Sequence, residues 1–176
     1  KLSSLSTVKA VYPDVIHHAQ MDASLDLIGA VETWEQFGGK ESAGAGVKVA
    51  IIDSGIRPEN PLFSGENFTA PAADTLPTDD YCSEVPDFCN NKLIVARAAG
   101  IVEGFSVVEE EYESPLGFNG HGTHVAGTAV GNYGVMAERD GAEAEISGVA
   151  PAAYLMVYKG LYATPANPAS SSGASS

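Results

Sequence analysis

Residues 120–128 read Gly-His-Gly-Thr-His-Val-Ala-Gly-Thr and place a histidine, His121, where a loop turns into a helix of small residues. Upstream, residues 47–55 read Val-Lys-Val-Ala-Ile-Ile-Asp-Ser-Gly, an apolar strand that runs directly into Asp53. Open α/β sheets bind their ligands at the carboxyl ends of their strands. The two stretches therefore predict a site made of a carboxylate at the end of a buried parallel strand and an imidazole at the start of a helix.

The rest of the chain alternates strands and helices without a hairpin signal. Apolar runs of strand length occupy residues 47–52, 92–97 and 153–159, and the first is apolar on both faces, as in a central parallel strand. A helix is predicted over residues 24–37, whose apolar residues share one face before Gly38-Gly39 ends it. This order favours an α/β fold, a parallel sheet with helices on both faces.

These motifs together resemble those of the subtilisin-like serine proteases, the subtilases. The His-Gly-Thr-His run at 121–124 is the most specific of them, and the strand ending in Asp53 resembles the family's aspartate motif. Residues 89–97, with Val95 where glycine is common, and the Gly-Val-Ala-Pro turn at 148–151 are similar to two more stretches of the family. The resemblance implies a subtilisin-like fold, incomplete in this chain, and the N-terminal part of a catalytic domain like those of the larger, multi-domain secreted subtilases.

The resemblance also implies a serine endopeptidase that hydrolyses peptide bonds of protein or peptide substrates through an Asp-His-Ser triad. Asp53 would orient and stabilise the imidazole of His121, which would act as the general base. The order Asp, His, Ser is that of subtilisin itself. The serine and the oxyanion-hole asparagine are therefore expected beyond Ser176, and this chain alone is expected to be inactive.

Two other functions are compatible with the same residues. One is a non-catalytic fragment, truncated or processed, that binds a partner or its own complementing half. The other is a small-molecule-binding α/β domain that uses Asp53 at the switch point of its sheet. No Gly-x-Gly-x-x-Gly run follows the first strand, which argues against this last function.

The resemblance divides the chain into three parts. Residues 1–18 are expected to be the C-terminal remnant of an inhibitory propeptide, so that the protein would be a zymogen with its own propeptide as inhibitor. The alternative is that the short strand at 8–14 is simply the first strand of the domain. Residues 19–162 would be the N-terminal part of the catalytic domain, and the tail at 163–176 has a linker-like composition of Pro, Ala, Ser and Gly. His17-His18 would lie near the maturation junction, either as a surface pair or as titrating groups that assist cleavage.

The cysteines and the charge restrict the environment and the partners. Cys82 and Cys89 lie close together in a polar loop, and they are either a small disulfide loop, as in secreted proteins, or two free thiols. A net charge of −14 argues against nucleic acid or an anionic membrane surface as partner. No run of about 18 apolar residues predicts a membrane span. We expect a secreted protein.

Two groups of acidic residues are candidates for a metal or binding site. Asp74, Asp79 and Asp80, in the long loop at 64–91, do not have EF-hand spacing, and a solvated loop is favoured over a calcium site. The acidic run at 109–113 is typical of a solvated face, with binding of a basic substrate residue as the alternative.

His124 follows His121 by three positions, which is not the spacing of a zinc-binding His-Glu-x-x-His motif. We assign it a structural, hydrogen-bonded role. The Gly-punctuated stretch at 131–144 is predicted to be a loop, expanded beyond the calcium-binding loop of compact subtilases. No metal ligands are assigned and no cofactor is required for the chemistry, while structural calcium with unidentified ligands stays an alternative.

Overall fold

The structure is a computed structural model that describes residues 21–139 and 141–173. Its helices are α1 (Met21–Leu27), α2 (Ala30–Gln36), α3 (Tyr81–Glu84) and α4 (His121–Val130), with 3-10 turns at Pro61–Phe63, Ala73–Thr75 and Pro86–Phe88. Its strands are β1 (Lys48–Asp53), β2 (Leu93–Ala98), β3 (Val135–Arg139), β4 (Ala142–Ile146), β5 (Tyr154–Lys159), β6 (Leu161–Thr164) and β7 (Asn167–Gly173).

A three-stranded parallel sheet, in the order β1-β5-β2, forms the centre of the fold. This confirms the predicted α/β class with a parallel sheet. The register pairs Asp53 at the end of β1 with Lys159 at the end of β5. The carboxyl ends of the two strands therefore lie side by side.

Strand β1 differs from the central, doubly buried strand predicted for it. It lies at the edge of the three-stranded sheet, and its exposure alternates along the strand. Val49, Ile51 and Asp53 face the core, whereas Ile52 on the other face is 75% exposed. The sequence showed an apolar run but not that only one of its faces is covered within the described residues.

Helix α4 covers the inner face of the sheet, where the hydrophobic core is found. The core joins residues of α4, the 61–63 turn, β2, β5 and the loops beside them: Ile56, Leu62, Phe63, Leu93, Ala126, Val130, Ala153, Leu155 and Val157. Val49 and Ile51 of β1 are partly buried and pack against it. Small residues allow the close approach that this packing needs. A Cβ atom on Gly148, for example, would lie 2.3 Å from the backbone nitrogen of Gly131.

The helix predicted over residues 24–37 is instead two short helices, α1 and α2. Gly29, with φ of 73°, adopts the left-handed conformation between them and breaks the helix. Trp34 is buried and donates from Nε1 to the carbonyl oxygen of Val149 at 2.9 Å, in keeping with its predicted packing role. Ile28 and Phe37, which the helical pattern placed on a buried face, are exposed.

Two antiparallel hairpins occupy stretches for which no hairpin was predicted. Strand β3 and the first three residues of β4 lie in the stretch 131–144 that was predicted to be a loop. The Ala-Glu-Ala-Glu-Ile of β4 has the alternation of a half-exposed strand. The last two residues of β6 and the whole of β7 lie in the predicted linker-like tail at 163–176. Residues 163–164 and 167–173 of the tail are therefore paired strand.

The long stretch 64–91 is predicted to be irregular, but it contains α3 and two of the 3-10 turns. Asp80 caps α3, accepting from the backbone nitrogen of Ser83 at 3.2 Å. A disulfide joins Cys82 in α3 to Cys89, with their Cα atoms 5.4 Å apart. The disulfide alternative, rather than the pair of free thiols, is the one that the structure contains.

The predicted propeptide remnant at 1–18, with the strand at 8–14 and His17-His18, lies outside the described residues. Among the helices of the part that is described, none is long and apolar enough to cross a membrane.

Candidate active site

Asp53 ends β1 at the edge of the sheet where the strand gives way to a tight turn. Its Oδ1 atom accepts from the backbone nitrogen of Ser54 at 2.7 Å and lies 2.7 Å from Nδ1 of His121. The Asp53 side chain is only 11% exposed. The carboxylate is thus held in place by a backbone amide and largely shielded from solvent.

His121 is the first residue of α4, and its imidazole is 62% exposed. Gly120 before it adopts the left-handed conformation with φ of 79°, which turns the chain into the helix. An ionised carboxylate only accepts hydrogen bonds. The contact with Asp53 therefore places the proton on Nδ1 and leaves Nε2 as the basic nitrogen of the ring.

Ser54 ties the start of the helix to the end of the strand. Its hydroxyl donates to Oδ1 of Asn119 at 3.1 Å and accepts from the backbone nitrogen of Gly122 at 3.0 Å. The Asn119 oxygen also accepts from the backbone nitrogen of His121 at 3.2 Å. These bonds fix the backbone on both sides of His121 relative to Asp53. Neither Ser54 nor Asn119 was assigned a role from the sequence, although Ser54 lies within the first motif and Asn119 directly precedes the second.

The loop before α4 is also bonded to the chain that follows β1. Ile56 donates from its backbone nitrogen to Pro115 at 3.0 Å, and Gly117 donates to the carbonyl of Ile56 at 2.9 Å. Gly55, with φ of 93°, has no room for a side chain, because a Cβ atom there would lie 2.5 Å from the Pro115 carbonyl oxygen. The glycine of the Asp-Ser-Gly motif thus permits this close contact.

The acidic run at 109–113 is not simply the solvated face that was predicted. Glu109, Glu110 and Glu113 are exposed, but the Glu111 side chain is buried against the ammonium of Lys159, 2.8 Å away. Burial lowers the pKa of Lys159, while the bond to Glu111 and its charge oppose this shift. The only signal in the sequence is a lysine at the end of an otherwise apolar strand.

The three aspartates considered as a calcium site, Asp74, Asp79 and Asp80, have separate environments. Asp74 is exposed, and Asp79 forms an ion pair with Arg97. Asp80 is buried and bonded to Ser83 and Ala96, so it is not part of a solvated loop. Within residues 21–139 and 141–173, no three His, Cys, Asp or Glu side chains are grouped so that they could hold a metal ion.

His124 lies on the exposed side of α4, one turn beyond His121. Its backbone is bonded within the helix, from its nitrogen to Gly120 and from the Thr128 hydroxyl to its carbonyl oxygen. The side chain itself is exposed, which does not fit the structural, hydrogen-bonded role that we assigned to it.

In this arrangement, Asp53 can orient the imidazole of His121 and stabilise its protonated form. Asp53 holds the ring by Nδ1 and would stabilise the imidazolium that forms when Nε2 takes a proton. Chemically, this arrangement can serve as the acid–base part of a nucleophilic site.

Comparison with known proteins identifies the family of this chain. A family model described as the subtilase family matches residues 44–174. Among curated proteins, the subtilisin-like protease SBT2.2 of Arabidopsis thaliana is 40% identical over 139 residues, which cover 73% of this chain and 16% of that protein. The subtilisin-like protease SBT2.3 of the same plant is 38% identical over 137 residues, covering 73% of this chain and 16% of its own length. The subtilisin-like protease SBT2.4, also from Arabidopsis thaliana, is 30% identical over 176 residues, or 92% of this chain and 21% of that protein. The chain thus spans about a fifth or less of the length of these relatives.

Proposed function

This chain belongs to the subtilase family and is part of a subtilase catalytic domain, and we propose from that premise that it supplies the aspartate and histidine of an Asp-His-Ser triad. Nε2 of His121 takes the proton of a serine hydroxyl as the oxygen attacks the carbonyl carbon of a peptide bond. The same nitrogen then returns the proton to the leaving amine. The serine and an oxyanion-hole asparagine are contributed by the remainder of a longer protein.

The observation that supports this most strongly is the 2.7 Å contact between Nδ1 of His121 and Oδ1 of Asp53. The two residues are 68 positions apart and come from two separate family-like motifs. In a serine protease, this bond selects the ring tautomer that leaves Nε2 free to act as a base. The shielded carboxylate strengthens the interaction, since charges attract more strongly away from solvent.

The environment and regulation of the protease are part of the same proposal. The disulfide between Cys82 and Cys89 supports secretion, because such bonds persist in oxidising compartments. Residues 1–18 are the end of an inhibitory propeptide, and the substrates are proteins or peptides.

The test uses the full-length protein, with a fluorogenic peptide or casein as substrate and an organofluorophosphonate probe for an activated serine. The unmodified protein should cleave and be labelled, and His121→Ala should do neither. The matched control is His124→Ala, a change of the same kind one turn along the same helix at an exposed position. Retention of cleavage by His121→Ala, or equal loss in both variants, would contradict the proposal.

A second candidate function is non-catalytic binding of a complementing half. It is favoured by β1, which among the described residues has an unpaired edge and an uncovered face. Ile52 on that face is 75% exposed, and Val47, just before the strand, is 52% exposed. If binding were the whole function, full-length protein would bind through this face and show no labelled serine. Labelling by the probe would reject it.

A further inference from the structure

The buried ion pair of Lys159 and Glu111 lies beside the proposed Asp53–His121 pair but takes no direct part in it. The Lys159 side chain is 0% exposed and that of Glu111 is 1% exposed. Burying two charges costs more free energy than a well-packed apolar pair, so such a pair is weak evidence for stability. The location of the pair, next to Asp53 and the loop before α4, indicates a role other than stability.

Lys159 is fixed to Asp53 by the parallel sheet. The two residues are register partners at the ends of β5 and β1, and the backbone nitrogen of Gly160 donates to the carbonyl oxygen of Asp53 at 3.0 Å. Asp53 and Lys159 both face the core side of the sheet. The backbone of Lys159, from which its side chain extends, is therefore held in a fixed position relative to Asp53.

The far end of Lys159 holds the loop that leads into α4. Its ammonium donates to Oε1 of Glu111 at 2.8 Å, to the carbonyl of Tyr112 at 2.6 Å and to the carbonyl of Leu116 at 2.8 Å. An ammonium has three hydrogens to donate, and all three go to this one loop. Only four residues lie between the last acceptor, Leu116, and His121.

Glu111 in turn is held by more than the lysine. Its Oε1 accepts from the backbone nitrogen of Tyr112 at 2.9 Å, and its Oε2 accepts from that of Ala163 at 2.7 Å. The carboxylate thereby joins the loop to β6, which follows β5 directly. The three bonds of Lys159 connect the loop before His121 to the strand end that is paired with Asp53, and the bond from Ala163 to Glu111 connects the same loop to β6.

We propose that Lys159 and Glu111 are positioning residues for the Asp53–His121 pair. Together they hold the 111–117 loop against the end of β5 and thereby set where α4 begins. This inference rests on the proposed function for its effect on catalysis, but its effect on geometry is independent of it. Misplacing a catalytic group by about 1 Å can lower a rate on the order of 100-fold.

The main test variant is the double change Lys159→Met/Glu111→Leu, made in the full-length protein. It replaces both charges by apolar groups of similar length, so that no buried charge is left alone and folding can be retained. The matched control is Lys92→Met. Lys92 is also fully buried and donates to two backbone carbonyls, of Pro151 and Ala153, but it lies at the opposite end of the sheet.

We expect kcat of the double variant to fall roughly 10- to 100-fold, with KM within about 2-fold of that of the unmodified protein. In Lys92→Met, kcat should stay within about 2-fold. A double variant that folds and keeps its kcat overturns the proposal, as does an equal loss in Lys92→Met. If the double variant does not fold, Glu111→Gln decides, because it keeps the shape of the side chain and removes the charge. An unchanged kcat there also overturns the proposal.

A second measurement does not need activity. The proton on Nδ1 of His121 should give a downfield proton NMR signal that His121→Ala removes. The signal should persist in Lys92→Met and broaden or disappear in the double variant. If the unmodified protein shows the signal but cleaves nothing, the proposed function fails and the positioning role is still tested. If it cleaves and the double variant keeps both signal and rate, the positioning role alone fails.

Discussion

Gly122 and Gly55 meet so closely at the junction of α4 and β1 that a Cβ atom on Gly122 would lie 2.2 Å from the Gly55 carbonyl oxygen. The same atom would lie 3.2 Å from Oδ1 of Asp53. Only a residue without a side chain at position 122 allows the first turn of α4 to lie this close to the backbone of Gly55. The glycine after His121 is therefore a condition for the hydrogen bond between His121 and Asp53.

The first prediction concerns Gly122→Ala. The added methyl would contact rigid backbone, so the start of α4 must move away from β1, and both stability and cleavage should fall. The control is Gly127→Ala on the same helix, where the new atom would lie 3.0 Å from the end of the Leu62 side chain, which can move. Alanine gains about 0.5–1 kcal/mol over glycine inside a helix, which would offset that contact. Urea unfolding and casein cleavage should both separate the two variants, and similar behaviour of the two would contradict the prediction.

The second prediction concerns Asp53→Asn. An amide at this position can donate to Nδ1 of His121, which favours the wrong tautomer and removes the charge that stabilises the imidazolium. We expect kcat of the full-length protein to fall on the order of 10⁴-fold, as in serine proteases whose triad aspartate is changed. Asp74→Asn makes the same change in an exposed carboxylate and should leave kcat unaltered. A loss of less than about 10-fold for Asp53→Asn would argue that the carboxylate is not part of the triad.

The sequence predicted that Asp53 and His121 lie close together, because each residue follows a local rule. An apolar strand that ends in Asp53 and a helix that begins at His121 place both groups at the same edge of a parallel sheet. The contact itself, at 2.7 Å, lies where those rules place it. The strand ranges of β2 and β5 and the helix α4 follow from apolar runs and small-residue content in the same way.

The sequence did not predict features that depend on distant parts of the chain. Glu111 is buried only because Lys159, 48 positions later, reaches it from the end of β5. Ile52 is exposed only because nothing among the described residues covers that face of β1. The hairpin of β3 and β4 was missed because a Gly-punctuated stretch was interpreted as loop, although the alternation in β4 was present.

The third prediction concerns the disulfide between Cys82 and Cys89. It closes a loop with a sequence separation of 7, for which the chain-entropy relation gives a stabilisation of about 2 kcal/mol. Reductant should lower the urea midpoint of the unmodified protein and have no effect on Cys82→Ser/Cys89→Ser. A midpoint that reductant does not change in the unmodified protein would show that the two sulfurs are not joined in solution.

The fourth prediction concerns the pH dependence of stability at Lys92. Its ammonium is fully buried, with the ring centroid of Phe68 4.3 Å away and carbonyl oxygens of Pro151 and Ala153 at 2.9 and 3.0 Å. Burial lowers its pKa from 10.5 to about 7. A neutral amine has two hydrogens to donate, enough for both carbonyls, so the uncharged form also fits this position.

The direction in which the free energy of unfolding changes with pH depends on how many protons the folded and unfolded states bind. Below about pH 7 both states carry the proton, and the cost of burying the charge is present in full. Between about pH 7 and 10.5 the unfolded chain holds a proton that the folded chain has lost, so the free energy of unfolding rises with pH. The unmodified protein should therefore gain roughly 1 to 3 kcal/mol relative to Lys92→Met between about pH 6.5 and 9.5.

Urea unfolding of both proteins across this range isolates the contribution of Lys92, because other groups that titrate are shared. Lys48→Met is the matched control, since Lys48 is exposed and bonds to Thr75 at the surface. The difference between the unmodified protein and Lys48→Met should not vary with pH. If the difference for Lys92→Met is equally flat, Lys92 stays charged in the folded protein throughout, and its two carbonyl acceptors and the Phe68 ring compensate for its burial.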